Sequence, residues 1–112
     1  MSGAVARRLT SIREKGDISF AEVADMLGTR PETVSRWNQG HRDPHPNTEK
    51  ALLELDFIVD QLSDFYDPKE ARLFFYSPQK LLNGKKPADL IKEGKIEEVH
   101  RLVNQIRDAV YM

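Results

Sequence analysis

The chain has 112 residues, with 17 lysines and arginines against 18 aspartates and glutamates, and it contains no cysteine. This length allows one small domain, or two very small units that share a core. The lack of cysteine excludes a disulfide framework, a cysteine zinc site and a thiol nucleophile, and no apolar run approaches the roughly 20 residues of a membrane-spanning helix. The net charge of −1 is unlike that of a general polycationic nucleic-acid binder, although it leaves room for a small basic face.

Proline divides the sequence into three parts. Pro44 and Pro46 interrupt any continuous helix, so we predict an N-terminal unit over residues 1–46, a central helix over 47–67 and a C-terminal unit over 68–112. Valine and isoleucine recur at helical rather than alternating spacing, which indicates an all-α protein. The first ten residues lack the apolar stretch of a secretory signal, so we expect a cytoplasmic protein.

The N-terminal unit carries signals for three helices. The first is predicted over 4–14, where three apolar residues share one face, with Gly16 ending it. The second has the pattern of a capping box, in which Ser19 is the N-cap and Glu22 is the third helical residue. A third helix is predicted over 31–39, with proline at its first position.

Residues 20–37 resemble a helix-turn-helix unit. Ala24 is small where the two helices approach closely, and Gly28 permits the positive φ of a tight turn. The apolar spacing predicts one small shared core, formed by Val23, Leu27, Val34 and Trp37. In a DNA-binding unit the outer face of the third helix enters the major groove. The candidate DNA contacts on and beside that face are Arg30, Thr33, Ser35, Arg36, Gln39 and Arg42.

The electrostatic support for DNA binding is small. The net charge between residues 28 and 45 is only +1, whereas neutralised phosphates supply much of the affinity of DNA-binding proteins. Arg30 also stands where a helix usually has a serine-type N-cap. The helix-turn-helix unit therefore either contacts DNA or serves as a scaffold or dimer platform.

A long central helix is predicted from Asn47, as its N-cap, through Tyr66. Its apolar stripe has three- and four-residue spacing and consists of Leu52, Leu55, Val59, Leu62 and Tyr66. The stripe suits the core face of a central helix, with a coiled-coil dimer seam as the alternative. Residues 47–67 have a net charge of −5, which indicates a solvated face or a surface for a basic partner.

The C-terminal unit is predicted to contain a short helix, a turn, a second short helix and a final helix. Pro87 begins the second short helix and Gly94 ends it, and the final helix starts near Ile96. The residues of the final helix that we expect to face inward are Val99, Leu102, Val103, Ile106 and Val110.

A sequence motif runs through this C-terminal unit. It contains, in order, Ser77-Pro78-x-x-Leu81-Leu82, then Lys86-Pro87-Ala88-Asp89-Leu90-Ile91, then Gly94 and Val99. The pattern resembles the toxin-binding domain of the Xre–MbcA–ParS antitoxins, and the short chain with an upstream helix-turn-helix is similar to the MbcA type. The sequence departs from the family pattern at Phe74, where tryptophan is common, and at Gln79, where asparagine is common.

The resemblance implies a protein inhibitor and not an enzyme. It implies the antitoxin of a type II toxin–antitoxin system, which binds a RES-domain toxin and blocks the access of NAD+ to the toxin's active site. It also implies repression of the operon through operator DNA, as in many members, and a homodimer or a hetero-oligomer with the toxin. No cofactor and no membrane contact are expected. The alternative is a stand-alone helix-turn-helix transcriptional regulator whose C-terminal half dimerises.

The candidate toxin contacts lie in the C-terminal unit and are Lys85, Lys86, Pro87, Asp89, Arg107, Tyr111 and Met112. The basic side chains suit acidic groups on a toxin, or they simply keep the surface solvated. Tyr111 and Met112 suit an anchor pair, because a rigid aromatic and a pliable thioether pack well at interfaces. The alternative is that Tyr111 folds back onto the core of its own chain.

Two histidines raise the question of a metal site. His41 and His45 are four residues apart with Asp43 between them, but they lie in a proline-broken loop without a further soft ligand. Gly84-Lys85-Lys86 lacks the upstream glycine and the hydroxyl residue of a nucleotide-binding loop. We therefore expect neither a metal nor a nucleotide site, and no catalytic residues.

Overall fold

Seven α-helices make up the fold of this computed structural model, which describes residues 3–111. They are α1 Gly3–Gly16, α2 Phe20–Leu27, α3 Pro31–Gln39, α4 Pro46–Leu62, α5 Pro68–Tyr76, α6 Pro87–Lys92 and α7 Ile96–Val110. A 3₁₀ turn, Lys80–Leu82, lies between α5 and α6, and the described residues contain no β-strand. The predicted all-α class is confirmed.

Local signals in the sequence set both ends of α2. The Ser19 hydroxyl accepts a hydrogen bond from the Glu22 backbone N–H at 3.1 Å. The Glu22 carboxylate accepts one from the Ser19 N–H at 2.9 Å, which completes the predicted capping box. Gly28 follows the helix with a φ of 72° and provides the left-handed turn toward α3.

Gly16 has a role that the sequence did not indicate. The helix α1 includes Gly16, and the left-handed residue that follows is Asp17, with a φ of 52°. A Cβ at position 16 would lie 3.2 Å from Val59 Cγ1, because Gly16 is buried where α1 crosses α4. The glycine therefore favours the close packing of α1 on α4, and the left-handed turn falls on Asp17 instead.

The predicted bounds of the central helix are wrong at both ends. The helix α4 begins at Pro46, with His45 and not Asn47 at the N-cap, and it ends at Leu62 and not at Tyr66. Proline fits the first helical position because that position needs no N–H donor. Asp67 then begins α5 with a second capping box, in which Asp67 and Glu70 exchange two hydrogen bonds of 2.9 Å.

The core is centred on α4. The helix packs against α1 on one side and α7 on another, and its fully buried residues are Leu52, Leu55, Ile58, Val59 and Leu62. Because this stripe is buried within one chain, it is not available as a coiled-coil seam between two chains. Val110 is 51% exposed, so the expectation that it faces inward is wrong: the last turn of α7 projects past the core.

The helix-turn-helix segment shares this core. Val23, Val34 and Trp37 are buried and Leu27 is partly buried, as the predicted core of α2 and α3 requires. The helix α2 also packs against α6, and α1 packs against α3. The N- and C-terminal parts are therefore joined by one continuous apolar cluster. None of the described helices is long and apolar enough to cross a membrane.

Candidate functional site

The outer face of α3 and the loop after it hold the candidate DNA contacts. Arg30, Arg36, Gln39 and Arg42 are exposed, while Thr33 and Ser35 are half-buried. Within residues 3–111, none of the three arginines takes part in an ion pair. The face is consistent with a groove-reading surface, because its cations are not neutralised by neighbouring carboxylates.

A bidentate ion pair joins α5 to the first helix of the helix-turn-helix unit. Arg72 donates from its two terminal nitrogens to the two carboxylate oxygens of Glu22, at 2.7 and 2.6 Å. It also donates to the Asp17 carbonyl oxygen at 2.8 Å, and its guanidinium lies 5.0 Å from the centre of the Tyr76 ring. These contacts hold the start of α2 against the C-terminal unit.

The ionisation of this cluster follows from its contacts. The hydrogen bond from Arg72 is the largest cause that lowers the pKa of Glu22 to about 2. Burial raises the pKa of the Tyr76 hydroxyl to about 12, so the phenol stays neutral beside the guanidinium. Sequence reasoning missed Arg72, because its partner lies 50 residues earlier in the chain and no local motif marks it.

A second ion pair fixes the middle of α2. Lys92 at the end of α6 lies 3.0 Å from an Asp25 carboxylate oxygen. Both side chains are mostly exposed, so water screens this pair more strongly than the pair of Arg72 and Glu22. Two short helices of the C-terminal unit, α5 and α6, thus contact the same helix of the N-terminal unit.

The candidate toxin contacts lie on two different elements. Lys85, Lys86 and Asp89 are exposed around the start of α6, whereas Pro87 is buried as the first residue of that helix. The Lys85 ammonium lies 3.3 Å from Glu93, which partly neutralises it. Arg107 is exposed on α7.

Tyr111 follows α7 and is 60% exposed. Its hydroxyl donates a hydrogen bond to the Asp64 carbonyl oxygen at 3.3 Å, so only the tip of the ring is held by the chain. The alternative in which Tyr111 packs into the core is not observed. Met112 lies outside the described residues.

A groove between α5 and α7 was not anticipated from the sequence. It has a volume of about 300 Å³ and is lined by Tyr66, Glu70, Leu73, Phe74, Ser77, Gln79 and Ile106. Leu73 is 65% exposed, whereas the next two residues, Phe74 and Phe75, are buried. The run of large side chains from Leu73 to Tyr76 could have indicated an exposed apolar residue, because a short helix cannot bury four consecutive large side chains.

A second exposed apolar pair lies on α4. Leu53 is 46% exposed and Phe57 is 51% exposed. The Phe57 ring meets the His100 ring edge-on, with 5.3 Å between their centres. His100 itself is half-buried. No group of three possible metal ligands occurs in the part of the chain that the structure describes.

Comparison with known proteins agrees with this architecture. Residues 65–108 match the family model described as the antitoxin Xre/MbcA/ParS C-terminal toxin-binding domain. The groove residues and most of the candidate toxin contacts lie within that range. Residues 65–108 are thus similar to the toxin-binding domain of the Xre/MbcA/ParS antitoxins, in agreement with the motif from Ser77 to Val99.

Within that class the chain is similar to MbcA. It is 28% identical to the mycobacterial cidal antitoxins MbcA of Mycobacterium tuberculosis and Mycobacterium bovis, over 96% of this chain and 96% of each relative. Its fold matches a chain in the crystal structure of the M. tuberculosis MbcT–MbcA toxin–antitoxin complex, with a TM-score of 0.81 and 28% identity over 98% of this chain and 99% of the other.

Proposed function

We propose that this protein is the antitoxin of a type II toxin–antitoxin system and inhibits a RES-domain toxin by direct binding. The observation that carries the proposal is the match of residues 65–108 to a toxin-binding domain. The similarity to MbcA over nearly the whole of both chains supports it, because the arrangement of the two units is shared as well.

Inhibition works by covering the toxin's active site, in this proposal. The C-terminal unit docks over the entrance and keeps NAD+ out, so the antitoxin supplies shape and surface instead of chemistry. A stable inhibitory interface needs a preorganised surface, because ordering a flexible segment on binding reduces affinity. The capping box of α5 and the ion pair between Arg72 and Glu22 provide that rigidity.

The test of this proposal uses the cognate RES-domain protein, co-expressed with the full chain in the cytoplasm of a bacterial host. We expect the two proteins to co-purify as a hetero-oligomer and to elute together in size-exclusion chromatography. Light scattering on the same column gives the stoichiometry, and the chain alone shows whether it is a homodimer. Separate elution of the two proteins would contradict the antitoxin function.

DNA binding is a second proposed activity, by which the protein represses its own operon. The supporting observation is the exposed, unpaired Arg36 on the outer face of α3, with exposed Arg30 and Arg42 to contact phosphates. The test measures binding to a duplex from the chain's own promoter at several salt concentrations. We expect Arg36→Ala to weaken binding about 10-fold.

Arg101→Ala is the matched control for this test, because Arg101 is also exposed but lies on α7. It should leave the affinity for the promoter duplex unchanged. If wild-type protein binds the promoter no better than a scrambled duplex, the helix-turn-helix unit is a scaffold. A regulator without a toxin partner would bind the promoter yet fail the co-purification test.

A further inference from the structure

The groove between α5 and α7 offers an apolar surface in a protein whose other large apolar side chains are mostly buried. We propose that this groove is the anchor site of the toxin, and that an apolar side chain of the toxin inserts beside Leu73. The inference rests on the proposed antitoxin function and adds where the toxin is held and what chemistry its contact must have.

The groove is lined mainly by apolar side chains, with three polar residues beside them. Leu73 is 65% exposed, and it shares the groove with the partly buried side chains of Tyr66 and Ile106 and with the buried Phe74. Interface anchors commonly consist of an exposed apolar side chain with aromatic and aliphatic neighbours. A partner side chain that binds there removes water from several apolar groups at once, which favours binding.

Polar groups at the groove are already oriented. The Gln79 side-chain amide donates to the Phe74 carbonyl oxygen at 3.1 Å. The Gln79 backbone is held as well, since its N–H donates to Lys85 and its carbonyl accepts from Gly84. The Gln79 side chain is therefore held in place at the groove, and its amide oxygen has the chemistry to accept a hydrogen bond from a partner.

The acidic rim of the groove adds a charge preference. One oxygen of the Glu70 carboxylate accepts the Asp67 N–H in the capping box, which fixes the side chain. Glu70 is exposed and lines the groove, so it places a negative charge beside the apolar surface. The complementary toxin segment therefore carries an apolar side chain next to an N–H donor or a cationic side chain.

The position of the groove favours the toxin over a second copy of this chain. Every residue that lines the groove lies within residues 65–108, the range that matches a toxin-binding domain. Leu81 is also exposed within that range but does not line the groove, and the remaining exposed large apolar residues lie outside the range: Leu53, Phe57, Val110 and Tyr111. A contact between two copies of this chain would not be expected to coincide with the range that matches a toxin-binding domain.

The experiment measures the affinity of the cognate RES-domain toxin for two charge variants of the full chain by titration calorimetry. Leu73→Asp places a second carboxylate in the groove and should weaken binding at least about 30-fold, the effect of losing a central interface anchor. Leu53→Asp makes the same change on α4 and should alter the affinity less than about 3-fold. Leu73→Ala, a milder change, should weaken binding about 5-fold.

The outcomes separate this inference from the proposed function. Thermal melting of each variant verifies the fold, which should persist because Leu73 and Leu53 are both exposed. If the wild-type chain binds the toxin and both Leu73 variants bind equally well, the groove is not the anchor and only this inference fails. If the wild-type chain does not bind, the antitoxin function itself fails. A loss of affinity in Leu53→Asp that matches that of Leu73→Asp also overturns the assignment.

Discussion

At the scale of single residues, the carboxylates of α4 differ in their surroundings more than their spacing suggests. Asp60 is exposed and lies 2.6 Å from the Lys15 ammonium. Asp56 is half-buried between α1 and α4, and its Oδ1 has no hydrogen-bond partner among the described residues. Burial is the largest cause that raises the pKa of Asp56, with Ser11 opposing the shift. The acidic stretch is therefore partly a packing surface and not wholly solvated.

We expect Asp56→Asn to stabilise the protein. The folded state has a raised pKa at Asp56, so at neutral pH it holds a carboxylate that folding disfavours, and stability falls as pH rises through that pKa. Removing the charge should increase the free energy of unfolding at pH 7 by up to about 1 kcal/mol. Urea denaturation measures this, and the gain should shrink as pH falls toward 3.8, the ordinary pKa of aspartate.

Asp60→Asn is the matched control for that measurement. It removes the exposed partner of Lys15 and should lower the free energy of unfolding by no more than about 0.5 kcal/mol. If both variants change the free energy of unfolding in the same direction at pH 7, burial does not distinguish the two carboxylates.

At the scale of helices, the contact between α5 and α2 could not be predicted from the sequence. The two capping residues Ser19 and Glu22 were identified from local spacing, and their hydrogen bonds are as predicted. The same Glu22 carboxylate also binds Arg72 across the fold. A local pattern shows only the first role, because the second depends on how the chain returns after α4.

We expect Glu22→Gln to destabilise the protein by about 1 kcal/mol at pH 7, a figure that allows for solvent screening of the partly exposed guanidinium. The folded-state pKa of Glu22 is lowered to about 2 from 4.5. The stabilisation is therefore complete above pH 4.5 and is lost as pH falls toward 2. Urea denaturation at pH 7 and at pH 2.5 should show a clear difference between the proteins at the higher pH and a smaller one at the lower.

Asp25→Asn tests whether the effect is specific. Asp25 lies on the same helix and pairs with Lys92 at 3.0 Å, but both side chains are more exposed. We expect a change in the free energy of unfolding within about 0.3 kcal/mol. A larger effect at Asp25 than at Glu22 would contradict the importance assigned to the bidentate, partly buried pair of Arg72 and Glu22.

At the scale of the whole molecule, the sequence predicts the helices well and the surfaces poorly. The cap of α2 and the turn at Gly28 depend on neighbouring residues and were predicted, whereas the capping box at Asp67 was missed because the central helix was extended to Tyr66. The exposure of two apolar residues was harder to predict. Val110 continues the apolar stripe of α7 but lies past the end of the core, and Leu73 belongs to a run of large side chains that one helix cannot bury completely. Which of several apolar residues stays exposed depends on where the neighbouring helices end.

The charge distribution also has a different meaning in the folded molecule. The net charge of −1 divides into +1, −5 and +3 over residues 1–46, 47–67 and 68–112. The acidic α4 lies beside α1, where Lys15 and Arg8 approach Asp60 and Glu49 at 2.6 and 3.9 Å. Part of the charge of α4 is therefore paired with basic side chains of α1 at the protein surface, while Lys86 and Arg107 of the C-terminal unit are exposed.

The proposed inhibition, in which this protein keeps NAD+ out of the active site of a RES-domain toxin, can be tested on the toxin's own reaction. The most direct measurement follows NAD+ consumption by the purified cognate toxin while the full chain is added in steps. We predict that consumption stops once the chain matches the toxin at the stoichiometry of the purified complex, and that Leu53→Asp inhibits as well as the wild type. Continued NAD+ consumption by a toxin that is fully bound to the chain would contradict the claim.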